Sequence, residues 1–170
     1  MASQWHSLVS QKLFLARTLL GQLEGASDRN SNTAVPEAEQ ALRREAAIQG
    51  AIELMIRSRR LLLGMVARLY QHKSAEPSTL AELAVVIGET PNELRRLREL
   101  ELQAGSWWNH LDQLETAQSR PPAPRKTVSA ENIIAVAAET GPDRSTASLL
   151  KTLDAMKNFA NDLAEQHSEW

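Results

Sequence analysis

The chain of 170 residues contains no cysteine. Disulfides, thiol nucleophiles, thiolate zinc sites and iron–sulfur ligation are therefore excluded, and a reducing compartment fits. Glycine is scarce, at seven residues. None of them falls in a GxGxxG or GxxxxGK[ST] pattern, so a glycine-rich phosphate cradle is not expected. The GxSxG nucleophile elbow is missing as well. The longest apolar runs, Leu61 to Ala67 and Leu83 to Ile87, fall far short of the roughly 20 residues that span a bilayer. Met1 to His6 lack the basic region and apolar run of a signal peptide. The expectation is a cytoplasmic protein with no membrane segment. The formal net charge is only −2, which gives no general attraction to nucleic acid or anionic lipid.

What the chain does have is helical periodicity. Trp5, Leu8, Val9, Leu13, Ala16, Leu20 and Leu23 recur at helical spacing and predict a helix over about 3–24, with Gly25 as its stop. Asp28 to Thr33 reads as a polar loop. Pro36 opens a second helix, predicted to about residue 73, whose stripe includes Ile48, Ile52, Met55, Leu62, Leu63 and Val66. Gly50 and Gly64 weaken it unless they permit close helix packing. Thr79 and Glu82 form a capping box for a short helix ending at Gly88. Thr90, Pro91 and Glu93 read as a second box, opening a long fourth helix predicted over 91–118. Residues 119–128 include three prolines and read as an extended linker. A helical hairpin is expected over 129–170, with Gly141 and Pro142 at its bend. Leu153, Met156, Ala160 and Leu163 give its second arm a packing stripe.

Charge is distributed unevenly. Residues 36–73 carry seven basic and four acidic residues, net +3, whereas 74–119 carry three and eight, net −5. A basic second helix beside acidic neighbours can satisfy itself inside the bundle. The alternative is a basic patch at Arg57, Arg59, Arg60, Arg120, Arg125 and Lys126 that meets an acidic partner.

No constellation carries a recognisable chemistry. His6, His72, His110 and His167 are isolated, with no HExxH and no Glu-x-x-His pattern. Glu99 and Glu101 stand two apart on a helix and face different ways. A third reading is an enzyme with a buried polar pocket inside the bundle around Glu53 and Arg57, but an i,i+4 pair of opposite charge is ordinarily just helix support. No catalytic, cofactor-binding or metal-ligating residue and no cofactor is therefore assigned.

Some stretches resemble known families. TLAELAVVIGETPNELRRLR, from Thr79 to Arg98, is similar to a helix-turn-helix: Ala84 takes the small-residue position and Gly88 the turn, while Leu94 and Leu97 are the buried positions. That resemblance implies Arg95, Arg96 and Arg98 as phosphate or base contacts. Glu89 at the turn departs from the pattern. The long second helix with Gln49, Glu53 and Arg57 resembles HEPN-like bundles. The nearest match to their Arg-x(4–6)-His element, Arg68 to His72, is one residue short with apolar Leu69, so no catalysis is carried over. Trp5, the Glu-Ala-Ala-Ile-Gln stretch from Glu45, and Ser106-Trp107-Trp108 resemble small bacterial helical families of unknown function.

The tryptophans are the most informative residues. Trp107 and Trp108 diverge by about 100° on a helix and are both buried only where the helix is covered on two sides. The C-terminal segment is the expected cover. Otherwise one indole faces a partner groove.

The expectation is thus an all-α antiparallel bundle with long second and fourth helices. The bundle occupies 1–118 and a C-terminal hairpin over 129–170 packs on it or on another chain. Its function reads as a non-enzymatic interaction or adaptor module whose partner is a protein or a second copy of itself. The contact candidates are Trp107, Trp108, Arg59, Arg60, Leu153, Met156 and Phe159. The alternative is a DNA-binding regulator using 79–98, although the charge balance argues against nucleic acid without excluding it.

Overall fold

A computed structural model describes residues 2–28, 36–121 and 141–167. Six helices and no strand are found among them: α1 (Ala2–Asp28), α2 (Glu37–Leu69), α3 (Leu80–Ile87), α4 (Asn92–Leu102), α5 (Trp107–Gln118) and α6 (Thr146–Gln166).

Helix α2 is the hub, packed against α1, α3, α5 and α6, and α1 lies on α2 and α6. Helix α1 runs antiparallel to α2. Near one end Trp5 abuts Gly64, at mid-length the Ser58 hydroxyl donates to the Val9 carbonyl, and at the other end Leu19 meets Gly50. Gly50 and Gly64 thus mark close helix contacts, as expected from the sequence. Helix α6 is also antiparallel to α1: His6 Nε2 donates to Asn161 at 2.9 Å, and Arg17 pairs with Asp154. Helices α3, α4 and α5 cover the C-terminal half of α2 and the free side of α6. A single core joins all six, with Leu13, Leu20, Met55, Leu63, Leu97, Leu111 and Leu149 essentially sealed from solvent.

Local signals explain most boundaries. Pro36 precedes α2 at φ −54°, ready for helix entry. Thr79 accepts the Glu82 backbone N–H at 3.1 Å, while the Glu82 carboxylate accepts from the Ser78 N–H and hydroxyl at 2.8 Å. Gly88 ends α3 at φ +82°, a conformation that suits glycine. Ser145 caps α6 by accepting from the Ser148 N–H.

Several expectations need correction. The long fourth helix over 91–118 is two helices. Gln103 turns extended, Gly105 takes φ +76°, and Ser106 starts α5 by accepting the Asn109 N–H at 3.0 Å. The Ser106 hydroxyl also donates to the Leu100 carbonyl, so one side chain closes α4 and opens α5. Thr90 is not a cap, since α4 begins after Pro91 with no side-chain cap bond. Helix α1 continues through Gly25 to Asp28, because a glycine costs only about 1 kcal/mol inside a helix. Helix α2 ends at Leu69, and Gln71 turns the chain at φ +69°. Of the expected hairpin, the second arm is α6, which packs on α1, α2 and α5. Its first arm and most of the 119–128 linker lie outside the described residues. No described helix is long and apolar enough to cross a membrane.

Candidate functional site

Six of the seven contact candidates are buried within the chain, and Arg60 lies exposed beside them. Trp107 and Trp108, at the start of α5, lie 5.4 Å apart, and Trp107 lies 5.7 Å from Phe159 of α6. Tilted geometry in both pairs suits the ring quadrupoles. The C-terminal helix is part of the cover that Trp107 and Trp108 require, and both indoles are buried. Leu153 and Met156 line the same inward face of α6. Arg59 is 7% exposed; its guanidinium lies 4.8 Å from the Trp108 ring centroid and pairs with Asp112 and Glu115. Arg60 stays exposed and reaches Glu115 at 2.9 Å. The partner these residues meet here is their own chain.

The same holds for the arginines of the helix-turn-helix-like segment. Helices α3 and α4 do meet at a corner. Arg98 pairs with Glu89, Arg96 faces Asp162 at 3.7 Å and lies 5.1 Å from the Phe159 ring, and Arg95 donates to Asn92. Arg68 is stacked 3.5 Å from the Trp5 ring and donates to the Gly64 and Ala75 carbonyls, while His72 is exposed. Glu53 and Arg57 are exposed as well. The interior polar pocket entertained from sequence is therefore not formed by them. Instead they border an open groove of about 610 Å³ with Trp5, Leu61 and Pro77.

Two part-buried polar networks were not visible in the sequence. Glu93, 6% exposed, accepts from Tyr70 and from His167, joining α4 to the chain just after α2 and just after α6. Burial pushes the Glu93 carboxyl up, but bonds from Tyr70, its own backbone N–H and His167 outweigh this and hold it below the usual carboxylate range. Burial and the bond to Glu93 push the Tyr70 hydroxyl up to about 12. His110 Nδ1 shares a hydrogen bond with the Thr152 hydroxyl at 2.6 Å, and its Nε2 donates to the Asp143 carbonyl at 2.8 Å. Both ring nitrogens thereby have a partner within the chain. These groups have their partners within the fold. Among the described residues, no group of three or more His, Asp or Glu is placed to hold a metal ion.

Large apolar residues stand exposed singly at Leu42, Val85 and Leu102, and as an adjacent pair on the outer face of α1. Phe14 is 68% and Leu15 41% exposed. They sit off the inward stripe of Val9, Leu13, Ala16 and Leu20, and around them stand Gln4, Ser7, Gln11, Thr18 and Gln22, all exposed and none charged. Thr18 spends its hydroxyl on the Phe14 carbonyl at 3.0 Å. The charged residues of the helix between Gln4 and Gly25, Lys12, Arg17 and Glu24, lie on its flanks. Sequence reasoning missed this face because it followed the buried stripe. The signal was there: two large apolar residues off that stripe, on a side with no charge.

Comparison with known proteins adds the family. The model of a family of unknown function (DUF6586) matches residues 1–170. The chain belongs to this family. No curated protein and no solved structure matches it. The DUF6586 match covers the two long helices, the three short ones and α6 alike, so the six-helix arrangement falls within one family region.

Proposed function

We propose that the protein is a non-enzymatic interaction module of the cytoplasm, and that it docks its partner on the outer face of α1. One observation carries this reading. In a chain with 24% charged residues, an exposed helix face running from Gln4 to Gly25 has none, and Phe14 and Leu15 stand at its middle. Depletion of charge around exposed aromatic and aliphatic residues is the compositional mark of an interface core. The basic groups of α2 and α4 support the same reading from the other side. Arg59, Arg60, Arg96 and Arg98 face carboxylates of the same chain, which leaves little for an external polyanion.

The test is capture of partners from native extract by the tagged full chain, in nuclease-treated and untreated halves. The expected result is a protein whose capture survives nuclease and is lost on Phe14→Asp. Capture that vanishes with nuclease, together with salt-steep binding to duplex DNA that Arg95→Ala weakens, replaces this reading with the DNA-binding one.

A further inference from the structure

We infer that the occupant of the α1 face is a second copy of the same chain, set antiparallel to the first; this rests on the interaction reading above. The argument begins with symmetry. In a two-fold pair, residues near the axis meet their own copies. A face that pairs with itself must therefore be free of charge near that axis, whereas a face built for a different partner can carry complementary charge. The α1 face meets the stricter condition along its whole length from Gln4 to Gly25.

The order of residues meets a second condition. Heptad spacing places Ser7, Phe14 and Gly21 in one row and Leu8, Leu15 and Gln22 in the next, with Gln11 and Thr18 between them. The rows are centred on Phe14 and Leu15. Antiparallel pairing then sets Phe14 against Phe14 and Leu15 against Leu15. Gln11 falls opposite Thr18, and Ser7 opposite Gly21. Small residues lie where the two backbones approach toward the ends, and nothing lies within 4 Å of where a side chain at Gly21 or Gly25 would begin. On the α6 flank, the Arg17 charge is already paired with Asp154.

Size is adequate. Helix α1 from Gln4 to Gly25 is about 33 Å long. With the flanks of α2 and α6 it buries on the order of 1,000 Å² over both copies, the lower bound of a specific interface. The expected affinity is on the order of micromolar.

Sedimentation and light scattering on the full chain test this directly. The mass should rise from 18.8 kDa toward twice that value as concentration increases through about 1–300 µM. Phe14→Asp and Phe14→Lys should each weaken association at least about tenfold without altering helix content, since Phe14 is exposed. Mixing the two variants should restore dimers, because opposite charges then meet at the axis. Orientation is read separately. The chain has no cysteine, so Gln11→Cys mixed with Thr18→Cys should cross-link, and Gln11→Cys alone should not. A wild-type chain that stays monomeric, an unaffected Phe14→Asp dimer, or Gln11→Cys cross-linking to itself overturns the inference. If the chain is monomeric yet Phe14→Asp abolishes capture of another protein, the interaction reading stands and the second copy is excluded.

Discussion

The Arg59 guanidinium lies 4.8 Å from the centroid of the Trp108 ring while its terminal nitrogens pair with Asp112 and Glu115. This joins the basic second helix to an acidic neighbour at a nearly dry point. Asp112 and Glu115 keep 42% and 31% of their side-chain surface exposed. The pair is therefore worth less than a fully buried one. Arg59→Ala should cost about 2–3 kcal/mol, since it strips a buried cation from two carboxylates and uncovers an indole. Arg60→Ala, on the exposed side of Glu115, should cost less than about 1 kcal/mol. Urea unfolding followed by tryptophan fluorescence measures both, and equal losses would contradict this division.

Tyr70 offers a titration with a single reporter, because it is the only tyrosine. Its hydroxyl is pushed up to about 12 from an ordinary 10. The folded state thus holds this proton more tightly than the unfolded chain does. The stabilising contribution is complete below about pH 10 and is lost as pH rises through about 12. Tyrosinate absorbance of the native protein should give a midpoint near 12, and denatured protein one near 10. Glu93→Gln should lower the native midpoint by removing the carboxylate that burial sets against the hydroxyl. A native midpoint at 10 would show that the Tyr70–Glu93 bond is not formed.

Glu93 itself titrates at the other end of the scale with the opposite sign. Its carboxyl is held below the usual range, so its contribution is present above the unfolded value and fades as pH falls through the lower folded value. Acid unfolding of Glu93→Gln should therefore be less steep below pH about 4.5 than that of the wild type. Identical acid limbs would mean that Tyr70 and His167 do not favour the ionised form.

What the sequence revealed, and what it hid, follows the range of the interactions. The α3 cap at Thr79, the stop at Gly88 and the stripe Leu153, Met156, Ala160 and Leu163 are local, set by residues within a few positions of one another. Each is found as read. The α4–α5 break is also local. Gly105 followed by Ser106 pairs a glycine at positive φ with an N-cap, but continuous apolar spacing from Leu94 to Leu114 concealed it. Glu93 and Tyr70 are 23 positions apart and Glu93 and His167 are 74, so no periodicity could bring them together. Trp107 lies between these extremes: its burial under the C-terminal segment was expected, whereas Phe159, read only as a contact for a partner, is the residue that meets it.

Ser106 should be the costliest cap to remove. It accepts the Asn109 N–H and donates to the Leu100 carbonyl, and it is itself buried. Ser106→Ala should lose about 1 kcal/mol for the cap and about 1 kcal/mol more for the stranded carbonyl. Ser145→Ala removes the exposed cap of α6 and an exposed bond to Asp143 but strands no buried carbonyl, so it should cost about the first amount. Chemical denaturation of the two variants side by side decides the matter.

The two glycines of α2 should respond to alanine with opposite signs. Alanine gains about 1 kcal/mol of helix propensity at either position, so the outcome depends on whether the neighbour can yield. At Gly50 a new methyl would meet Leu19 Cδ1 at 3.1 Å. That is the tip of a flexible, half-buried side chain, which can rotate aside. Gly50→Ala should therefore raise stability by about 0.5 kcal/mol. At Gly64 the methyl would meet the Trp5 ring at 3.3 Å and Arg68 at 3.2 Å. The ring cannot retreat, because the Arg68 guanidinium is stacked on it and held by the Gly64 and Ala75 carbonyls. Overpacking of a fixed site costs about 1–3 kcal/mol, which exceeds the propensity gain. Gly64→Ala should lower the unfolding midpoint, and Gly64→Ala with Arg68→Ala should recover part of it by freeing the indole. A Gly64→Ala protein as stable as Gly50→Ala would mean that Trp5 is not clamped.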